Sequence, residues 1–317
     1  MIKNIKKIVL WLFIIMLVSL SISAVLFKSS GLTLNNFIKN NANIKISTNN
    51  DFDFNDFSNM ENNNDLKDKF KKVINEERIL EADNIESINV NAVSSDIKFF
   101  SENRDDIKVH FEGVVNSNNK IIAPELIAEN QGSSLLIQIK YKDIMNTSFY
   151  SSTIKVHVYI PKTYSNDIDV RTVSGNIDLG YMDNIEKANL KSVSGDIKAE
   201  ALFSNKTNLK STSGNIKIED FNGELNSDTV SGDLYINVKE LNDNINIKSI
   251  SGNAKIDLLE DTNFYFKSKS VSGDIDCEFP ISIEGKISDR AINGKIGSGK
   301  NEIDITTVSG DIEVSKK

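Results

Sequence analysis

TVSGNI at Thr172–Ile177 is followed by SVSGDI from Ser192, STSGNI from Ser211 and TVSGDL from Thr229. SISGNA from Ser249, SVSGDI from Ser270, a degenerate AINGKI from Ala291 and TVSGDI from Thr307 complete the series. The glycines are Gly175, Gly195, Gly214, Gly232, Gly252, Gly273, Gly294 and Gly310, spaced 20, 19, 18, 20, 21, 21 and 16 residues apart. A short unit recurring at near-constant spacing is the mark of a repeat architecture. Upstream, AVSSDI from Ala92 reads as an earlier, diverged copy.

Counting from each glycine gives the geometry. Position +2 holds Ile177, Ile197, Ile216, Leu234, Ala254, Ile275, Ile296 and Ile312, and position +4 is often apolar as well. Positions −7 and −5 are often apolar, as in Ile168 and Val170 or Ile245 and Ile247. A period of two on each side predicts strands with one buried face. Position −2 is also apolar (Val173, Val193, Val230, Ile250), so the buried parity is expected to flip between −5 and −2, with a corner at −4/−3. Coils of about 20 residues cannot bury a face alone; stacked about 4.8 Å apart they share a core. The predicted fold is all-β: a β-solenoid, on the order of 40 Å long for eight coils.

The corner residues have a local reason. Glycine relieves the steric limit at a tight bend, and Ser and Asp/Asn hydrogen-bond nearby backbone. Position +1 reads Asn176, Asp196, Asn215, Asp233, Asn253, Asp274, Lys295, Asp311, so Asp never follows Asp. Stacked coils make these residues neighbours, and adjacent like charges are destabilising. Clear repeats run over 166–317. From 85 to 161 the repeat is absent but β patterns continue, with Ile107, Val109 and Phe111 on one face of DIKVHF and Ile154, Val156, Val158 and Ile160 on one face of TIKVHVYI. This irregular β segment is expected to pair as longer, more antiparallel strands at one end of the solenoid.

Ahead of the 85–317 domain, residues 1–7 carry Lys3, Lys6 and Lys7, and 8–27 run without a charge to Lys28. Twenty helical residues span about 30 Å, one hydrocarbon core. Three lysines against one predict a cytoplasmic stub, a single transmembrane helix over 8–27 and an extracellular C-terminal domain at the cell membrane. A cleaved signal with Ser21 and Ser23 before Ala24 is the competing reading. The run continues apolar through Phe27, long for a cleaved segment. Residues 28–84 read as an Asn-rich stalk, with 12 Asn between Asn35 and Asn64 and an acidic-aromatic DFDFNDF at Asp51–Phe57. Leu66, Phe70, Val73 and Ile74 are spaced as one face of a short helix over 65–78.

Composition removes several functions. The 317 residues carry a net charge of −8, against nucleic-acid binding through phosphates. One cysteine, Cys277, excludes an internal disulfide or Cys-rich zinc framework, and its +4 position reads as a buried thiol. The two histidines, His110 and His157, lie on the polar parity of their strands and read as exposed side chains, not a metal pair. The Asp corners read as turn caps; calcium is the alternative. Serine at −1 recurs without a repeated base, so it reads as architecture. No catalytic, metal or cofactor site is expected.

The recurring [ST]-V-S-G-[DN]-I unit, the SSDI copy and the VHVYIP strand resemble the bacterial "putative adhesin" family over roughly Ile85 to Lys317. The resemblance implies a non-enzymatic, membrane-anchored surface β-solenoid of the cell envelope, in some cases associated with envelope stress responses, with no catalytic motif to carry over. The implied partners are the membrane, through the N-terminal helix, and an envelope glycan or protein. Two alternatives stay open: a carbohydrate-active β-helix enzyme and a self-assembling surface scaffold, against which Lys316 and Lys317 would blunt one end of the rod. Protease added to intact cells is expected to degrade the repeat domain; full protection would contradict the outward topology.

Overall fold

The computed structural model describes residues 70–117, 123–141, 150–283, 288 and 290–317. The expected stub, membrane span and most of the stalk, DFDFNDF included, lie outside these residues. Among the described residues no helix is long and apolar enough to cross a membrane, and every regular element is a strand.

The first part contains β1 (Phe70–Glu81), β2 (Ser87–Asn91), β3 (Ser95–Glu102), β4 (Asp106–Ser117), β5 (Glu125–Gln131), β6 (Ser134–Lys140) and β7 (Tyr150–Pro161). The repeats supply β8 (Asp167–Thr172), β9 (Ile177–Asp178), β10 (Tyr181–Ser192), β11 (Ile197–Ala199), β12 (Ala201–Ser211), β13 (Ile216–Ser231), β14 (Leu234–Val238) and β15 (Ile245–Ser251). The last are β16 (Ala254–Leu258), β17 (Phe264–Lys269), β18 (Ile275–Cys277), β19 (Ser282–Ile283), β20 (Ala291–Ile296), β21 (Asn301–Thr306) and β22 (Ile312–Lys316). Where a helix over 65–78 was expected, the described residues from 70 onward form β1. Ile74 is buried while its neighbour Val73 is exposed, the alternation of a strand and not the shared face of a helix.

The coils lay down two ladders. Before each corner, β2, β8, β10, β12, the second half of β13, β15, β21 and β17 follow one another in parallel register. After each corner, β3, β9, β11, the first half of β13, β14, β16, β22 and β18 do the same. The inward rows interlock between them. Ile216 pairs with Ile197 on one side and Leu234 on the other, and all three are buried. At one end β6 and β7 extend the two ladders in parallel beyond β2 and β3, so the antiparallel pairing expected of the irregular segment holds for only part of it. β4 pairs antiparallel with both β1 and β7, β5 pairs antiparallel with β6, and the apolar rows of β4 and β7 are buried.

The order of coils departs from the order of the sequence. β15 pairs with β21, and β21 with β17; likewise β22 lies between β16 and β18. The last coil of the chain is therefore inserted between the Gly252 and Gly273 coils. β20 runs antiparallel to β17 and covers its outer side. Gly294 is consequently no corner. It lies within β20 opposite Phe266, where an added Cβ would come within 2.6 Å of the Ile281 Cγ2 methyl. Lys316 and Lys317 do not blunt an end either, because Lys316 sits in register with Leu258 inside the stack.

The other glycines share one reason. A Cβ on Gly195 would overlap the carbonyl oxygen of Gly175, and one on Gly214 that of Gly195. Gly232, Gly252, Gly310 and Gly273 continue this chain, each against the glycine of the coil below, and Gly175 rests on the Ser95 carbonyl in the diverged copy. Close backbone approach, more than the bend itself, selects glycine here. Ile216→Ala is expected to lower stability by about 2–5 kcal/mol in thermal unfolding, as a buried side chain between two neighbours is lost. Gly195→Ala is expected to abolish the cooperative transition. Asp233→Asn keeps its acceptor oxygen and is expected to cost far less than either; an unfolded Asp233→Asn beside a stable Ile216→Ala would contradict this core.

Candidate interaction surface

The corner is built from two polar positions. At −3, Thr172, Ser192, Ser211, Thr229, Ser249, Ser270 and Thr307 are all buried. Most of their hydroxyls accept from the corner amide, as Gly195 N to Ser192 Oγ at 2.8 Å and Gly214 N to Ser211 Oγ at 2.9 Å, or donate to the corner carbonyl, as Thr307 Oγ1 to Gly310 O at 3.0 Å. Ser270 Oγ donates instead to Gly310 O of the adjacent coil at 3.2 Å, and Thr229 Oγ1 is buried without a partner among the described residues. The inward parity thus runs through −7, −5 and −3. The turn falls at −2/−1, not at −4/−3, and the apolar −2 residues point outward.

At +1, the backbone amide of each coil donates to the side-chain oxygen of the coil below. Asn176 N reaches Asp96 Oδ1 at 2.9 Å, Asp196 N reaches Asn176 Oδ1 at 2.9 Å and Asn215 N reaches Asp196 Oδ1 at 3.0 Å. Asp233, Asn253, Asp311 and Asp274 extend the ladder at 2.8–2.9 Å per step. In space the alternation of Asp and Asn holds from Asp96 to Asp311. It fails at the last step, where Asp274 follows Asp311; Lys295 is on β20 and separates no carboxylates. Each rung is thus occupied by a backbone donor, the capping role expected of it. Among the described residues no group of three His, Cys, Asp or Glu side chains is arranged to hold a metal ion.

Two columns on the outer surface are left without such a structural task. One is the −2 column, Val173, Val193, Thr212, Val230, Ile250 and Val308 half-exposed in adjacent coils, with the more exposed Val93 and Val271 at its two ends. Beside it, position −4 aligns Arg171, Lys191, Lys210, Asp228, Lys248, Thr306 and Lys269 in register. Arg171 is offset by Asp169 at 2.9 Å and Lys210 by Asp228 at 3.0 Å. Lys191, Lys248 and Lys269 have no ion-pair partner among the described residues. These columns were missed in the sequence because −2 was assigned to the core.

The histidines are less exposed than their parity implied. His110 on β4 faces His157 on β7, ring centroids 5.9 Å apart, with side chains 19% and 21% exposed. Glu112 lies 3.9 Å from a ring nitrogen of each, and His110 Nε2 bonds Asn75 Oδ1 at 2.7 Å. Phe100 stacks on Tyr159 at 4.8 Å and meets the His157 ring edge-on. Burial pushes His157 below the usual histidine range; Glu112 opposes this, while His110, Lys155 and Lys98 reinforce it. Cys277 is half-buried, and burial raises its thiol, the opposite of an activated nucleophile. Two open concavities measure about 350 Å³ beside Asp83, Glu86, Asp105 and Tyr164, and about 270 Å³ beside Glu224, Asn246, Glu302 and Asp304. Neither holds a histidine, cysteine or lysine.

The Toastrack DUF4097 family model matches residues 85–186 and again 183–315, so the chain belongs to this family. Among solved structures, it is similar to a "putative cell adhesion protein" from Clostridium sporogenes, at 14% identity over 78% of this chain and 100% of that one, with a TM-score of 0.37. It is similar to a "putative adhesin" from Parabacteroides distasonis at 14% identity, 77% and 97% coverage and a TM-score of 0.41. A "putative lipid binding protein" from the same organism matches at 15% identity, 77% and 95% coverage and a TM-score of 0.33. No curated protein matches the sequence.

A histidine whose folded pKa is depressed binds its proton later in the folded state than in the unfolded one. Stability therefore falls as pH drops below about 6.5 and levels once the folded His157 is itself protonated. The midpoint temperature is expected to fall less between pH 8 and pH 5 in His157→Gln than in the wild type. An equal or steeper fall in the variant would contradict the assignment.

Proposed function

We propose that this member of the Toastrack DUF4097 family is a non-enzymatic interaction module, held at the outer face of the cell membrane by its N-terminal apolar segment, that binds an extended anionic polymer of the envelope. The observation that carries the reading is the −4 column. Arg171, Lys191 and Lys210 stand side by side in successive coils of a chain whose net charge is −8. Like charges directly opposite on a sheet are destabilising, and no packing role requires them here. The neighbouring valine column adds apolar contact area along the same line. Over these three coils the cations recur about every 4.8 Å, and Lys248 and Lys269 continue the line beyond Asp228, which suits a linear partner better than a compact one. The recurring Asp and Asn at +1, and most of the Ser and Thr at −3, are engaged in backbone hydrogen bonds, which supports binding without turnover.

The test uses the full chain purified in detergent and incubated with anionic cell-wall and capsular glycans. Binding without release of new glycan ends is expected, weakening with salt as screened charge pairs do. Lys191→Glu together with Lys210→Glu is expected to reduce affinity at least tenfold. Glycan cleavage would overturn the reading in favour of a carbohydrate-active enzyme, and unchanged affinity in the double variant would remove the column from it.

A further inference from the structure

β1 is the outermost strand of its ladder. It pairs with β4 along one side, and among the described residues no strand pairs with the other. A long free edge is normally blunted by proline, a bulge, charged side chains or a covering element, and β1 has only its charges. β1 has no proline, and its pairing with β4 runs unbroken from Phe70↔Ser117 to Glu81↔Asp106. It also carries Val73 and Ile79, each 66% exposed, the highest values among the exposed large apolar residues described.

The charges of β1 are distributed along its length. Lys71 and Lys72 stand at the start, Glu76, Glu77 and Arg78 near the middle and Glu81 at the end. None of Lys71, Lys72 and Glu81 has an ion-pair partner among the described residues. An antiparallel second copy brings the lysine end of one strand to the glutamate end of the other. We propose that β1 is the seam of a two-fold homodimer in which the β1 edges of two copies pair antiparallel about Glu76.

That register is selected by the residues. Same-face pairing across a two-fold seam requires partners of equal parity. With the axis at Glu76, Lys71 opposes Glu81 of the second copy, Val73 opposes Ile79 and Asn75 opposes Glu77. Each of these pairs occurs twice, and each is an opposite-charge, apolar or hydrogen-bonding match. The two Glu76 side chains meet at the axis, flanked by two Arg78 guanidiniums; within one copy Arg78 Nη2 already lies 3.2 Å from Glu76 Oε2. Moving the axis to Asn75 sets Lys72 against Arg78. Moving it to Glu77 sets Val73 against Glu81. Both alternatives separate Val73 from Ile79.

The experiment uses the full chain with Cys277→Ser, so that introduced thiols are the only ones. Glu76→Cys, Asn75→Cys and Glu77→Cys are oxidised mildly, and the interchain disulfide is read on a non-reducing gel. Position 76 is expected to cross-link at least tenfold more than 75 or 77, because it alone opposes itself at disulfide distance. Sedimentation of the unmodified chain in detergent is expected to give a dimer, and Ile79→Lys a monomer. A monomeric unmodified chain overturns the proposal, as does preferential cross-linking at 75 or 77, or none at 76. Asn75, Glu77 and Ile79 are exposed on β1 and Glu76 is half-buried, so the thermal transition of each variant is compared with that of the unmodified chain before cross-linking is read. A failure here leaves the polymer-binding column untouched.

Discussion

At every true corner, the backbone at the glycine rests on the carbonyl of the corner residue beneath it, a glycine in all but the first step and Ser95 there, closer than any side chain permits. This approach fixes the spacing of the stack. Once it is fixed, the amide at +1 lies within hydrogen-bond reach of the Asx oxygen below, and the +2 and +4 rows fall into van der Waals register. At five of the corners the buried −3 hydroxyl adds a bond to the corner glycine's own backbone. Lengthening the step at one corner would loosen all three sets of contacts together. That coupling accounts for the conservative six-residue unit within coils that otherwise differ freely.

The period, the strand rows and the structural role of Gly-Asp/Asn were legible in the sequence because each answers to this one constraint; the corner hydroxyl was not, since it is the residue at −3 and not the −1 serine that bonds the backbone. The diverged AVSSDI copy was legible for the same reason, and Ser95 does stand beneath Gly175. The corner position was not. Val173 and its equivalents are apolar because they stack on one another along the outside of the rod, and apolar character alone does not tell that from burial. The order of coils was equally hidden, since stacking does not require sequence neighbours to be spatial ones. The 16-residue spacing before Gly310, together with Asn293 where a serine is usual, was the available signal that Gly294 was out of series. β1 was misread because Phe70, Val73 and Ile74 suit a helical face as well as a strand with one buried row.

The architecture separates two kinds of polar residue. Those at the corners are engaged by backbone and shape the rod; those at −4 face outward and oppose the overall sign of the chain. The functional reading follows from that division. The apolar −2 column lies between the two sets, so a linear partner lying along the cations would also touch valine. The antiparallel segment at the other end contributes a different surface, in which paired histidines sit against an aromatic pair beside lysines.

The central claim is that the corner Asx residues serve the backbone and not a ligand. Native-state amide hydrogen exchange tests it at Asp196, Asn215, Asp233 and Asn253, whose side chains lie at the surface but whose amides donate to the coil below. The account predicts protection comparable to that of the inward Ile197 and Ile216 amides, unchanged by added calcium. Rapid exchange at these four amides, or protection that appears only with calcium, would contradict it.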